Sequence, residues 1–359
     1  MTSDHTPIGA SKITGAHIEM LNQRFDMFAL QPLLGIYQAK ITQAVSKKHI
    51  DTPISDVTRC LVIRALLEKP ELAPLPVLKD YDDLIEALKN APEGFPFPTT
   101  QSNSGVLFGR SISTVNGLKK GRPVTHLVAM WITLFLDQFD SLCKKGTKHP
   151  LYKIMEEEAA ARGLSLQSII FNRGWPKATY DTPASINGAE MMTGEHLKRF
   201  SETVTNYDYQ SLMGLYLAKS SQLTSKRNRK LPVADAARGL MLRTLLKHPE
   251  WAPRAKLYHF EDLMNAYAKL PSSFPLPTAP TYLGVTLGRS SSTVHGLRNG
   301  RKEMMVLTIW ITILLNCLPE LKAEKEEHFL YKILEDEAKS RGHSLQEIIY
   351  NRGWPTDRE

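Results

Sequence analysis

Apolar residues in the first half of the chain recur at helical spacing, and long strict alternation is missing. In "TGAHIEMLNQRFDMFAL" (14–30) a Thr cap signal precedes Ile18, Leu21, Phe25 and Phe28, which predicts one amphipathic helix. "PISDVTRCLVIRALLEKP" (53–70) carries a second helical pattern and stops at Pro70. "YDDLIEALKN" (81–90) is a short helix with acids in its first turn, where the helix dipole favours them. "APEGFPFPTT" (91–100) is a Pro-punctuated loop. "THLVAMWITLFLDQF" (125–139) is apolar nearly all round, the mark of a buried helix. "HPLYKIMEEEAAARG" (149–163) ends in a glycine C-cap at Gly163, and Ser165 caps the helix that follows in "SLQSIIFNRGWP" (165–176). The expectation is an all-α chain with few strands.

This pattern is written twice. "NRGWP" closes at 172–176 and again at 351–355, an offset of 179 residues. The same offset pairs "LYKI" at 151–154 with 330–333, Arg64 with Arg243, Pro53 with Pro232 and Tyr37 with Tyr216, with no insertion between about Thr14 and Pro176. So long a period indicates duplication of a whole domain rather than a solenoid, whose repeats are ~20–50 residues. The polar, Pro/Gly-containing segment "KATYDTPASINGAE" (177–190) reads as a linker. The expected organisation is two homologous helical domains in tandem: 1–176, a linker over 177–192, and 193–355.

The most informative twin is "FGRSISTVNGLKKGRP" at 108–123, which returns at 287–302 as "LGRSSSTVHGLRNGRK" with ten of sixteen positions identical. Val106 and Leu107 end a short helix, Gly109 permits a sharp turn, and Ser111 or Ser113 can cap the next helix. Val115 and Leu118 then face inward, while Ile112, Ser113, Thr114, Asn116, Lys119 and Lys120 project outward. Gly121 closes that helix, Arg122 follows, and a long apolar helix packs behind. This is a helix-turn-helix pattern, at about 101–122 and again at about 280–301.

These residues resemble the lambda repressor/Cro-like family, whose motif runs leucine-glycine-x-serine, a valine or isoleucine, an apolar residue three later, then glycine-basic. Leu107, Gly109, Ser111, Val115, Leu118, Gly121 and Arg122 occupy those places, with Phe108 inserted between Leu107 and Gly109. Leu287, Gly288, Ser290, Val294, Leu297, Gly300 and Arg301 fit without a departure. The likeness covers about forty residues of each copy and leaves the flanking helices unexplained. It implies that the start of the second helix enters the major groove of DNA and that its glycine-basic end lies near phosphate. Base contacts then fall to Ile112, Ser113 and Asn116, and to Ser291, Ser292 and His295. Phosphate contacts fall to Arg110, Lys119, Lys120 and Arg122, and to Arg289, Arg298, Asn299 and Arg301. The residue chemistry suits those roles, since Asn can pair two-pointed with adenine and Lys or Arg can hold phosphate.

Charge and composition narrow the classes without deciding among them. The chain has 359 residues, a formal charge of +8 and a pI near 9.2, which makes a polyanionic partner plausible. The excess is even, with 21 basic against 17 acidic residues in 1–178 and 24 against 20 thereafter. No run of ~18 uncharged apolar residues occurs, so no membrane partner is expected, and the first residues lack the pattern of a signal peptide. Cys60, Cys143 and Cys317 share no close spacing, which points to reduced thiols in a cytoplasmic setting. The offset pairs them with Gly239, Lys322 and Gln138, so no chemistry needs a thiol in both copies. Scattered histidines form no metal-ligand spacing, and no phosphate-cradling glycine loop or G-x-S-x-G occurs, so neither cofactor, metal nor enzyme is expected.

Other features read blandly. The acidic runs Glu156–Glu158 and Glu335–Glu337 are expected to be a solvated face, and Trp131/Trp310 and Trp175/Trp354 to be packing anchors. "SKRNRK" (225–230), twin of "SKKHID" (46–51), is either a loop gripping phosphate or a solvated one. The sequence expectation is thus a nucleoid-associated, cytoplasmic regulator of transcription, bacterial or from a mobile element. It would read a two-part site on double-stranded DNA with two heads in one chain, with the transcription machinery or a second copy as further partners. The alternatives are a helical scaffold of a nucleoprotein complex and a non-specific DNA-packaging protein.

Overall fold

A computed structural model of the chain describes residues 9–176, 185, 186 and 188–355. Helices make up 60% of it, and only two isolated bridges, Thr14 to Pro53 and Thr193 to Pro232, occur among the described residues, so the all-α expectation holds. No single helix among them is long and apolar enough to cross a membrane.

The chain folds as two compact units that cut across the sequence repeats. One is discontinuous, Met1–Leu75 with Ala255–Glu359, and the other is the continuous stretch Pro76–Arg254. The discontinuous unit begins with α1 (Gly15–Asn22), α2 (Met27–Leu34), α3 (Gln38–Ala44) and α4 (Val57–Glu68). The continuous unit holds α5 (Tyr81–Lys89), a 3-10 turn (Gln101–Val106), α6 (Ile112–Lys119), α7 (His126–Asp137), α8 (Phe139–Lys145), α9 (Pro150–Ala161) and α10 (Leu166–Phe171). It goes on with α11 (Gly194–Ser201), α12 (Asn206–Met213), α13 (Leu217–Thr224) and α14 (Ala236–Lys247). The chain then returns to the discontinuous unit with α15 (Phe260–Tyr267), α16 (Leu283–Leu287), α17 (Ser291–Arg298), α18 (Met305–Asn316), α19 (Leu318–Glu324), α20 (Phe329–Ser340) and α21 (Leu345–Tyr350).

Each core therefore joins the front of one repeat to the back of the other. In the discontinuous unit α4 packs on α18 and α20; in the continuous unit its twin α14 packs on α7 and α9. The physical reason lies in the duplication itself. Both copies carry the same apolar faces, so the front of either repeat complements the back of either, and local pattern cannot choose the partner. The described part of segment 177–192 accordingly runs within the continuous unit rather than between units. There the Ile186 amide donates to the Ala160 carbonyl at 2.7 Å, and the Glu190 carbonyl accepts from Arg243. Residues 177–184 and 187 lie outside the described residues.

Local chemistry explains the helix boundaries. The helix predicted over 14–30 breaks in two, because Asp26 caps α2 by accepting from the Ala29 amide and Thr14 with His17 forms a capping box on α1. Asp56 and Asp235 cap α4 and α14 in the same way. His149 caps α9, its Nδ1 accepting from the Leu151 amide at 3.1 Å. Burial, then the nearby charges of Lys145 and His248, holds that imidazole below the usual histidine range, which keeps the accepting lone pair available.

The acidic runs depart from expectation at their third residue. Glu158 and Glu337 are buried, and each sits between two arginines. Glu337 accepts from Arg64 at 2.9 Å and Arg341 at 2.7 Å; Glu158 accepts from Arg162 at 2.9 Å and Arg243 at 3.1 Å. The cause is helical register: Leu151, Met155 and Glu158 share one face of α9, as Leu330, Leu334 and Glu337 do on α20. Spare donors are also satisfied, since Arg64 reaches the Gly9 and Ser11 carbonyls and Arg162 those of Val233 and Ala234. The thiols of Cys60 and Cys317 are buried, and burial pushes both up.

Two predictions follow from this division. The segment 76–254 expressed alone should melt in one cooperative transition by calorimetry, whereas monomeric 1–176 should not; a cooperative melt of monomeric 1–176 would contradict the exchanged cores. Glu158→Gln should cost about 3–5 kcal/mol in urea unfolding of that segment, because it leaves two buried guanidinium groups without their carboxylate. A loss under about 1 kcal/mol, the value of an exposed pair, would show that the triad is not needed.

Candidate nucleic-acid interface

The two short cationic segments form the same structure in both units. In the discontinuous unit α16 ends at Gly288, which turns the chain at φ +65°, and Ser290 caps α17. In the continuous unit the 3-10 turn reaches Val106, Gly109 turns at φ +66°, and Ser111 precedes α6. Each second helix has eight residues and buries two apolar side chains, Val115 and Leu118 in α6 and Val294 and Leu297 in α17. Each closes at a glycine with positive φ, Gly121 or Gly300, and the following arginine amide bonds back to the Gly117 or Gly296 carbonyl.

The turn glycines are required twice over, by conformation and by space. A Cβ at Gly288 would stand 2.9 Å from the Thr58 amide nitrogen, and one at Gly109 would stand 2.5 Å from that of Ala237. The turn thus rests on the first residues of α4 or α14. Thr58 donates its hydroxyl to the Leu287 carbonyl at 2.6 Å. Two indoles secure the carbonyls just before the turn: Trp131 donates to Leu107 and Trp175 to Val106, as Trp310 does to Thr286 and Trp354 to Val285. The tryptophans are therefore packing anchors with a hydrogen-bonding role that sequence reasoning did not supply.

The expected contact residues divide into two groups. Ile112, Ser113, Asn116, Lys119, Lys120 and Arg122 are exposed, as are Ser291, Ser292, His295, Arg298, Asn299 and Arg301. On α17 the His295 and Asn299 side chains pair at 2.9 Å. Arg110 and Arg289 stand apart from both sets. They are half-buried and bound to the capping aspartates of the helix beneath, Arg110 to Asp235 at 2.8 Å and Arg289 to Asp56 at 3.0 Å. Burial opposes the charge on Asp235, but the guanidinium groups of Arg110 and Arg238 outweigh it and hold the carboxyl below the usual range. These two arginines, expected on phosphate, instead fasten the turn to the scaffold. The twin aspartates Asp56 and Asp235, at the shared offset, were the signal that could have found this.

Geometry also adds residues. A groove of about 620 Å³ in the continuous unit runs beside the start of α6, lined by Ser111 and Thr114 on one wall and by Lys219, Gln222 and Asn228 on the other. The loop "SKRNRK" shares that second wall through Asn228, and its Lys226, Arg227 and Lys230 are exposed.

No family model matches the chain, and no curated protein or solved structure is significantly similar to it. What the site can do must come from its own chemistry. It presents two exposed faces of hydroxyl, amide, imidazole and cationic groups, each on a helix locked at its start by a glycine, an ion pair and two indoles.

The turn can be tested directly. Gly288→Ala should destabilise its unit by at least about 2 kcal/mol, ~1 from the left-handed conformation and ~1 from the clash with Thr58. Gly300→Ala, which meets nothing within 4 Å, should cost only about 1 kcal/mol. Equal costs in urea unfolding would show that the close approach is not a constraint.

Proposed function

We propose that the protein binds double-stranded DNA at a two-part site, sequence-specifically, through α6 and α17, and regulates transcription there. One observation carries this reading. Two helices in separate compact units each bury a two-residue apolar anchor and expose a polar face that ends in cations. An α-helix fits the major groove, where Asn, Ser and His side chains can reach base edges while Lys and Arg meet phosphate.

On this reading Ile112, Ser113 and Asn116 face bases in one half-site, and Ser291, Ser292 and His295 in the other. Lys119, Lys120, Arg122, Arg298, Asn299 and Arg301 lie along the backbone. Arg110 and Arg289 are positioning residues. The heads differ at Asn116/His295 and Ile112/Ser291, so the two half-sites are related but unequal. Two heads in one polypeptide take the place of the dimer that most helix-turn-helix proteins need.

Selection of binding sites from a random duplex pool, followed by footprinting, tests the proposal. A discrete two-part footprint with steep salt dependence is expected, and no shift at about 100 mM salt would overturn it. Asn116→Ala should relax preference at one position, at a cost of ~1–3 kcal/mol there. Lys119→Ala with Arg298→Ala should weaken binding to every sequence alike and lower the salt slope by about 1.8. A loss for Asn116→Ala that is equal on random DNA would remove that residue from base reading.

A further inference from the structure

α10 and α21 end in the same corner, Asn172-Arg173-Gly174-Trp175-Pro176 and Asn351-Arg352-Gly353-Trp354-Pro355. Each corner closes by a bond from the glycine amide to a helix carbonyl five residues back, Gly174 to Ile169 and Gly353 to Ile348, both at 3.0 Å. The residue just before that glycine is left-handed, a position that favours Gly because it suffers no Cβ conflict. Here it is an arginine in both units, at φ +57° in each.

The corner is fixed against the start of the cationic helix. A Cβ at Gly174 would stand 2.6 Å from the Arg110 carbonyl oxygen and 3.0 Å from the Ile112 amide. At Gly353 the corresponding distances are 2.7 Å to Arg289 and 2.9 Å to the Ser291 amide. Trp175 and Trp354 donate their amides to the same two carbonyls at 3.0 and 3.1 Å. Backbone therefore meets backbone, and the corner cannot shift without moving the first turn of α6 or α17. Both arginines are exposed. The Arg173 side chain makes no hydrogen bond or ion pair among the described residues; that of Arg352 lies 5.6 Å from the Tyr282 ring centre and has no anionic partner among them. Beside them Phe171 and Tyr350 are each 86% exposed.

We propose that this corner is a second DNA contact of each head, in which Arg173 and Arg352 hold a phosphate of the strand flanking the groove that α6 or α17 occupies. The inference rests on the DNA-binding reading above. An arginine held at a glycine-favouring position, without an anionic partner among the described residues and beside the residues assigned to bases, has a role that its packing does not supply. A polyanion alongside the helix start meets that cation directly.

The test uses the full chain, a duplex selected by the wild type from a random pool, and a scrambled duplex. The double substitution Arg173→Gly with Arg352→Gly removes both cations while easing the backbone. It should lower the salt slope by about 1.8, weaken binding equally on both duplexes, and leave the melting temperature unchanged or higher. Arg173→Lys with Arg352→Lys should keep the slope. An unchanged slope in the glycine pair overturns the proposal, as does a fall in its melting temperature or a lysine pair that loses as much slope as the glycine pair. Wild-type protein that binds no duplex sinks the DNA-binding reading and this one together. Wild type that selects a site, with a glycine pair whose slope is unaffected, sinks this one alone.

Discussion

The contact between each turn glycine and the start of a helix from the other repeat sets everything else. At Gly109 and Gly288 the chain must turn left-handed and let backbone touch backbone, against Ala237 in one unit and Thr58 in the other. Any side chain there would lift the turn off α14 or α4. The ion pairs Arg110–Asp235 and Arg289–Asp56 bind the same junction from the side, and each aspartate also caps the helix it belongs to. A head from one repeat is thus oriented by a helix from the other. That orientation is what exposes the polar face of α6 or α17 while Val115 and Leu118, or Val294 and Leu297, remain inside.

Behind the junction the cores use charge where a hydrophobic contact would have served. Glu158 and Glu337 are buried carboxylates, each shared by two arginines whose remaining donors meet backbone carbonyls. Such a triad adds little net stability over apolar packing, since desolvation offsets most of its Coulomb attraction. Its geometry is demanding, however. Arg64 reaches the chain at Gly9 and Ser11, and Arg341 reaches Ile54, so one carboxylate gathers α4, α20 and the segments around residues 9–11 and 54. A displaced α4 would leave a buried charge unpaired, so the triad fixes where α4 sits, and with it the turn above.

Much of this was legible and some was not, for reasons that trace to particular residues. Helical periodicity gave the class, the apolar anchors of both short helices and the exposure of Asn116 and His295. It missed the break before Asp26, because the apolar residues Phe25 and Phe28 continue the spacing across a residue whose side chain caps the start of a second helix. It also missed the burial of Glu158, although Leu151 and Met155 share its face, because a row of three acids looks solvated. Arg110 looked like a free cation because its partner Asp235 lies 125 residues away. The exchange of halves was out of reach altogether. Asp56 and Asp235, or Arg64 and Arg243, are equally good partners for either back half, so no local pattern distinguishes pairing within a repeat from pairing between repeats.

That degeneracy bears on how the two heads relate. Were each repeat to close on itself, a lesion in α4 would harm only the head of its own copy, which contains α6. With the halves exchanged, α4 supports the turn at Gly288 and α14 the turn at Gly109. Neither repeat can complete its own head, so each head depends on residues from both copies. Asn116 against His295 and Ile112 against Ser291 differ on the exposed faces, and Thr58 against Ala237 differs beneath the turn, while both turn glycines, both arginines and both capping aspartates are the same in the two units. On the proposed reading, divergence on the exposed faces over a shared frame of glycine, arginine and aspartate is what unequal half-sites require.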